Sequence, residues 1–256
     1  MLCQHLSVFY ACQYPVPELQ FARSNFNNKF PGVILTRLFQ SVALYALLSV
    51  SISANALTDQ PEQSQPGSPP PLVTAPGPHF ILNAGITYGG DTVATANYKD
   101  GGSTSIKGGG LLQFGLGALY QFETSPLAIM LSANYHTDSS KASNGDMSFT
   151  RTPIELLAYY TGVDHFRIGG GARFVSSPEA SLTINGSTEK TSYDNTTGIV
   201  AEIGYHTQST TWLNFRYVSE KYQGNTYTSS SGAKYSLAGS KKLDGSHFGV
   251  NLTLEF

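Results

Sequence analysis

Phe248-Gly249-Val250-Asn251-Leu252-Thr253-Leu254-Glu255-Phe256 sets Phe248, Val250, Leu252, Leu254 and Phe256 at alternate positions. Between them stand Gly249, Asn251, Thr253 and Glu255. Side chains of a strand point alternately to its two faces, so this stretch has one face in an apolar medium and one in a polar medium. The same period of two runs through Leu112–Phe122, with Leu112, Phe114, Leu116, Ala118, Tyr120 and Phe122 on one side. It recurs in Phe80–Tyr88, Leu127–Tyr135, Thr150–Tyr160, Phe166–Phe174, Ile199–Tyr205 and Leu213–Tyr217.

The connectors decide which medium is which. Along the chain they alternate long and short: Gly89–Gly110, Glu123–Pro126, Thr137–Met147, Thr161–Asp164, Val175–Asp194, Gln208–Thr211 and Ser219–Gly245. Long loops at one end and tight turns at the other are the pattern of a transmembrane barrel. A soluble β-sandwich is the alternative, but it has no use for Tyr88, Tyr120, Phe122, Tyr135, Tyr160, Phe174, Tyr205 and Tyr217 at the ends of the apolar stripes. Aromatic girdles belong there in a membrane. The reading is all-β: an eight-stranded antiparallel transmembrane β-barrel with short periplasmic turns and long extracellular loops.

Composition agrees. Of 256 residues 12% are charged, with 26 Gly, 15 Tyr and 14 Phe. A formal net charge of −2 gives no reason to expect a nucleic-acid partner. Aromatic content this high is foreign to disordered chains.

Upstream of the strands the chain reads as processing signals and spacer. Arg37, an apolar run from Leu38 to Val50 and the small-residue site Ala54-Asn55-Ala56 make residues 33–56 a secretory signal peptide cleaved after Ala56. The run is too short for a membrane span, which needs about 20 residues. Residues 1–32 precede it without strand or helix period, and the expectation is that translation starts near Val33 or Leu35. A peptide covering Phe21 to Phe30 in the precursor would refute that. Cys3 and Cys12 both lie in this upstream part, so the mature chain would lack cysteine and with it disulfides and thiol chemistry. Residues 57–78 hold seven prolines and read as an extended periplasmic tether, leaving residues 79–256 for the barrel.

The stretch His247–Phe256 with its terminal Phe256, the element Tyr88-Gly89-Gly90-Asp91-Thr92 and Pro153-Ile154-Glu155-Leu156-Leu157 resemble the small outer-membrane barrels of Gram-negative bacteria, the OmpA/OmpX-like group. That resemblance implies residence in the cell outer membrane and a monomer bathed in outer-membrane lipid and lipopolysaccharide. It also implies that Phe248, Val250, Leu252, Leu254 and Phe256 are the signal read by the barrel-assembly machinery. It implies no activity.

Opposite the apolar stripe, the alternation assigns Arg151, Arg167, Arg173 and Arg216 to the interior, facing Glu155, Glu202, Glu220 and Glu255. Asn83, Gln113, Gln121, Ser132, Asn134, His136, His206, Asn214, His247 and Asn251 share that side. Eight strands enclose a space that side chains can fill, so interior charges must pair. Register places Arg173 beside Glu155 and Arg216 beside Glu202. A structural plug is the first reading and a narrow channel the second.

Chemistry is hard to place. Lipid A deacylases carry a His/Ser/acid set on the lipid-facing wall, and no outward position here carries His. The rim group His136, Asp138, Ser139 and Ser140 is the nearest analogue of a lipid-modifying site, and a polar strand end entering a loop explains it better. His136, His206 and His247 lack metal-ligand spacing. Gly108–Gly110 and Gly169–Gly171 are not followed by a helix, so they are not phosphate loops. No cofactor is expected. Pro153 falls inside a strand and calls for a bulge or an early strand end. The first loop reads as a hairpin from Asp91 to Lys107 that extends the first two strands. Lys221, Lys234, Lys241 and Lys242 of the last loop are placed to meet lipopolysaccharide phosphates. The functional expectation is a non-enzymatic barrel whose loops contact the envelope or other surfaces.

Overall fold

The computed structural model describes residues 74–97, 103–142, 145–208 and 210–256. The upstream segment, the signal peptide and all but the end of the Pro-rich tether lie outside the described residues. The barrel strands are β1 (Gly77–Gly89), β2 (Leu111–Gln121), β3 (Leu127–Ala142), β4 (Gly145–Val163), β5 (Phe166–Ile184), β6 (Thr196–Gln208), β7 (Thr211–Ser219) and β8 (His247–Glu255). Each pairs antiparallel with the next. The ring closes where β1 meets β8, in register from Ile81 opposite Glu255 to Gly89 opposite His247. Closure leaves no strand edge unpaired, the condition for crossing hydrocarbon with strands.

The two faces of this cylinder divide as the alternation requires. Phe114, Leu116, Leu131, Ile154, Leu156, Phe215, Val250 and Leu252 stand exposed on the outer wall. Phe248, Leu254 and Phe256 share that wall. Outward aromatic rings meet in cross-strand pairs, with centroids 4.8 Å apart for Tyr217 and Phe248, 5.2 Å for Phe166 and Tyr205 and 5.3 Å for Phe114 and Tyr135. An apolar wall of this extent would be unstable in water, since about 25 cal/mol is lost for every Å² of apolar surface left wet. The fold is a transmembrane barrel.

Six strands exceed the lengths read from the sequence, and β3, β4 and β5 do so by the most. β3 runs on to Ala142 and β4 begins at Gly145, so the second long connector, Thr137–Met147, is a hairpin rather than an open loop. β5 continues to Ile184, turns at Asn185-Gly186 and returns as Ser187–Tyr193. Positive φ at both Asn185 (49°) and Gly186 (81°) is the twist-matched two-residue turn. Gly224–Thr228 pairs with Ser187–Tyr193, and Lys234–Ser236 pairs with Gly224–Thr228. The outer parts of β3, β4 and β5 thus carry a six-stranded sheet beyond the rim on one side only.

Pro153 does not end its strand. It pairs with Val175 of β5, and two residues before it Ser177 and Pro178 of β5 together face the single residue Arg151, with Ser177 at φ 52°. On the other side the ladder to β3 is broken between the pairs Ala133–Ile154 and His136–Arg151. The absent proline donor falls in that gap toward β3, the bulge near Thr152 lies on the other side against β5, and the strand continues without an early end. The first hairpin, Thr92–Asn97 with Ser103–Lys107, forms as expected but does not lengthen β1 and β2. It is a separate two-stranded sheet, stitched at its base to the last loop by Asp91 N donating to Asp244 O (2.8 Å) and Asp244 N donating to Asp91 Oδ2 (3.0 Å).

Candidate functional site

Inside the cylinder all eight charges assigned from the alternation are buried. They form one chain of alternating sign along the lumen. Arg167 Nη1 donates to Glu255 Oε1 at 2.7 Å and its Nη2 lies 4.0 Å from Glu202. Glu202 stands 3.8 Å from Arg216 Nε, whose Nη2 donates to Glu155 Oε2 at 2.8 Å. Glu155 is also paired with Arg173, its neighbour in register on β5. Arg173 Nε then donates to Glu220 Oε2 at 2.9 Å, and Glu220 lies 3.9 Å from Arg151 Nε. Every carboxylate therefore sits between guanidinia except Glu255 at the short-turn end, which takes a hydrogen bond from Thr74 (3.1 Å). A lone buried charge costs several kcal/mol, and alternation is what makes eight of them tolerable.

Neighbouring polar groups fix the ladder's shape. His136 lies between two guanidinia, with Nδ1 2.9 Å from Arg173 Nη2 and Nε2 2.8 Å from Thr87 Oγ1. Guanidinium can only donate, so Nδ1 accepts from Arg173 and Nε2–H is left to donate to Thr87. Arg151 Nη2, 3.0 Å from Nε2, has Gly110 O as its acceptor at 3.3 Å. Toward the short-turn end Arg167 is sandwiched between rings, 4.4 Å from the Trp212 centroid and 4.6 Å from that of Tyr159. Tyr159 in turn donates to Glu202 at 2.8 Å. Gly169 and Gly171 lie on the inward side of β5 between Arg167 and Arg173, and a Cβ at Gly169 would collide with the Tyr159 ring. The glycine run makes room for the plug.

Apolar side chains close the lumen on both sides of the ladder. Ile81, Leu119, Met130 and Leu157 are buried toward the short turns. Beyond the ladder, at the long-loop end, Ala94 and Ile106 of the first hairpin pack with Met147, Phe149 and Val175 and with Tyr222 and Leu243 of the last loop. Tyr193 and Leu182 of the third loop join them. Rings of Phe149 and Tyr222 meet edge to face at 5.4 Å. Tyr222 also donates to Glu220, tying this cap to the ladder. The first hairpin thus lies across the mouth.

Of the polar residues assigned to the interior, Asn83 and His206 are only half-buried and the rest are buried. Trp212, Tyr159, Tyr222 and Asp138 were missed, although each keeps the inward parity of its strand. The rim group splits: His136 and Asp138 are buried on the inner side of β3, where Asp138 accepts from Lys107 N at 2.8 Å, while Ser139 is exposed on the opposite face. The four lysines are spread over the last loop. All are exposed, but Lys221 stands in register with Asp244 whereas Lys234 lies on the free edge of the raised sheet. Among the described residues no group of His, Cys, Asp and Glu could hold a metal.

No protein-family model matches the chain, and no curated protein sequence does. Solved structures that it is similar to include Neisserial surface protein A, at 12% identity over 70% of this chain and 97% of that one, with a TM-score of 0.42. Another is Ail, the attachment invasion locus protein of Yersinia pestis, in complex with the heparin analogue sucrose octasulfate, at 11% identity over 71% and 100% of the two chains (TM-score 0.44). A third is the outer membrane protein OprG from Pseudomonas aeruginosa, at 16% identity over 73% and 99% (TM-score 0.39).

Proposed function

We propose that the chain is a sealed, non-enzymatic barrel of the Gram-negative outer membrane that presents its long-loop end to the cell surface. One observation carries this reading: the alternating ladder of eight buried charges spans the lumen and is capped by apolar side chains from the loops. An ion entering would have to displace guanidinium–carboxylate pairs, each of which costs about 3–5 kcal/mol to break from one side. Planar-bilayer recording tests it. The expected trace has no stable porin-sized conductance, and a steady open channel overturns the reading. On this reading lipid A from expressing cells is expected to have an unaltered mass, and an altered mass overturns it. Lys221, Lys241 and Lys242 are exposed in the last loop, where they would meet phosphates of lipopolysaccharide through charge-assisted bonds. Delivery by the barrel-assembly machinery would use the outward Phe248, Val250, Leu252, Leu254 and Phe256.

A further inference from the structure

The raised sheet has two unlike faces. Its inner face supplies Met147, Phe149 and Leu182 to the cap. The outer face can be read row by row from strand register. One row crosses all six strands as Ser139, Ser148, Ser181, Lys190, Thr228 and Lys234. The row nearer the membrane includes Thr150, Glu179, Ser192 and Thr226. The row beyond it holds Lys141, Asp146, Thr183 and Thr188, the last two hydrogen-bonded through their hydroxyls at 3.0 Å. No apolar side chain interrupts these rows. Lys190 and Glu179 pair at 2.9 Å among these short hydroxyls.

This face is continuous with the lipid-facing wall. The same sides of β3, β4 and β5 carry Leu131 and Tyr135, Ile154 and Leu156, and Phe174 below the rim. A lipid whose acyl chains lie against those residues has its headgroup beside the hydroxyl rows. We infer that the outer face of the raised sheet is a docking surface for the saccharide headgroup of outer-leaflet glycolipid. Three physical points support that occupant. Ser and Thr hydroxyls both donate and accept, as sugar hydroxyls do. Most positions in these rows are Ser or Thr, and short side chains lose little rotamer entropy when a ligand orders them. Cross-strand neighbours about 4.8 Å apart give a regular array over six strands, broad enough for several sugar rings. Lys234 on the edge strand suits anionic substituents on those sugars. The inference rests on the outer-membrane reading above and moves the principal glycolipid contact from the last loop's lysines to this sheet.

The test uses the full chain reconstituted in phospholipid vesicles that contain either lipopolysaccharide with its complete core saccharide or lipid A alone, and a third set given soluble core oligosaccharide. Bound glycolipid per barrel is titrated. Wild type is expected to bind the complete glycolipid about tenfold more tightly than lipid A. S148V/S181V keeps strand-forming side chains while removing two central hydroxyls, and S148E/S181E adds carboxylates beside Glu179; both are expected to lose the tenfold preference. Equal affinity of wild type for the two lipids overturns the inference, as does a valine variant that keeps the preference. Equally tight binding of the soluble oligosaccharide overturns the membrane headgroup as its source. A chain that never forms a heat-modifiable barrel in any vesicle overturns the outer-membrane reading instead, which separates the two failures.

Discussion

Arg216 and Glu155 are bonded across the lumen, Nη2 to Oε2 at 2.8 Å, although β5 and β6 lie between the strands that carry them. Glu155 simultaneously holds Arg173 on the adjacent strand. One carboxylate therefore braces both a neighbouring and a distant part of the wall. Strand ladders resist sliding of adjacent strands, whereas a bond across the bore also resists flattening of the cylinder.

Removing that brace is expected to be costly. Glu155→Ala leaves two guanidinia buried without their closest carboxylate, a loss of about 3–5 kcal/mol. The fluorescence of Trp212, the chain's single tryptophan, reports urea unfolding from inside the barrel. A double-mutant cycle with Arg216→Met should recover part of the loss, because the second change removes one of the stranded charges. Unchanged stability in Glu155→Ala would contradict the ladder.

The two seals should be separable. Shortening the first hairpin to a tight turn removes Ala94 and Ile106 from the cap but leaves the ladder whole. Such a variant is expected to fold, lose stability and remain non-conducting. Phe149→Ala acts on the same cluster and should cost about 3–5 kcal/mol, as large core truncations do. Bilayer current appearing in either variant would show that the cap alone closes the pore.

Gly169→Val probes the space inside β5. The new side chain would enter the volume held by the Tyr159 ring and displace its bond to Glu202. Overpacking of this kind costs about 1–3 kcal/mol. The expected sign is destabilisation, read from the same fluorescence transition, with Gly169→Ala intermediate.

Tyr227 lies on the raised sheet outside the membrane, where burial and the Glu189 carboxylate push its pKa up to about 12. A phenol with an ordinary pKa near 10 when unfolded favours the folded sheet in its neutral form. Its contribution is therefore complete below about pH 10 and is lost as pH rises from 10 toward 12. Protease cleavage after Lys234 is expected to accelerate across that window in wild type and less so in Tyr227→Phe.

Phe256 separates folding from delivery. Its backbone bonds Phe80 in both directions, N to O at 2.9 and 3.0 Å, while its ring points outward. Phe256→Ala keeps those backbone bonds, so refolding in detergent should be nearly normal. Assembly in cells should fall if the side chain belongs to the recognition signal, and normal surface levels would remove it from that role.

Much of this was legible because a strand's period is two. Parity along β2, β4 and β8 sorted wall from lumen correctly, and register across one turn was enough to pair Arg173 with Glu155. Contacts beyond the adjacent strand were not legible: Arg216 reaches Glu155 because of its side-chain length and the stagger of the ring, and neither is written in local pattern. At Ser177-Pro178 the bulge shifts parity, so that Ala180 and Leu182 face inward against the count begun at Phe166. The first hairpin's own residues gave its shape correctly. Its position over the mouth depends on Met147, Phe149 and Tyr222, which are distant in sequence. For Lys234, strand register had to be known before it could be separated from Lys221.

A cylinder whose rim is tall along three strands and low along the others has a heading within the plane of the bilayer. Neighbours approaching from the low side find only grease and aromatic rings, and those from the tall side meet a parapet. In a crowded leaflet such a molecule would be expected to pack shoulder to shoulder in one orientation more than in any other.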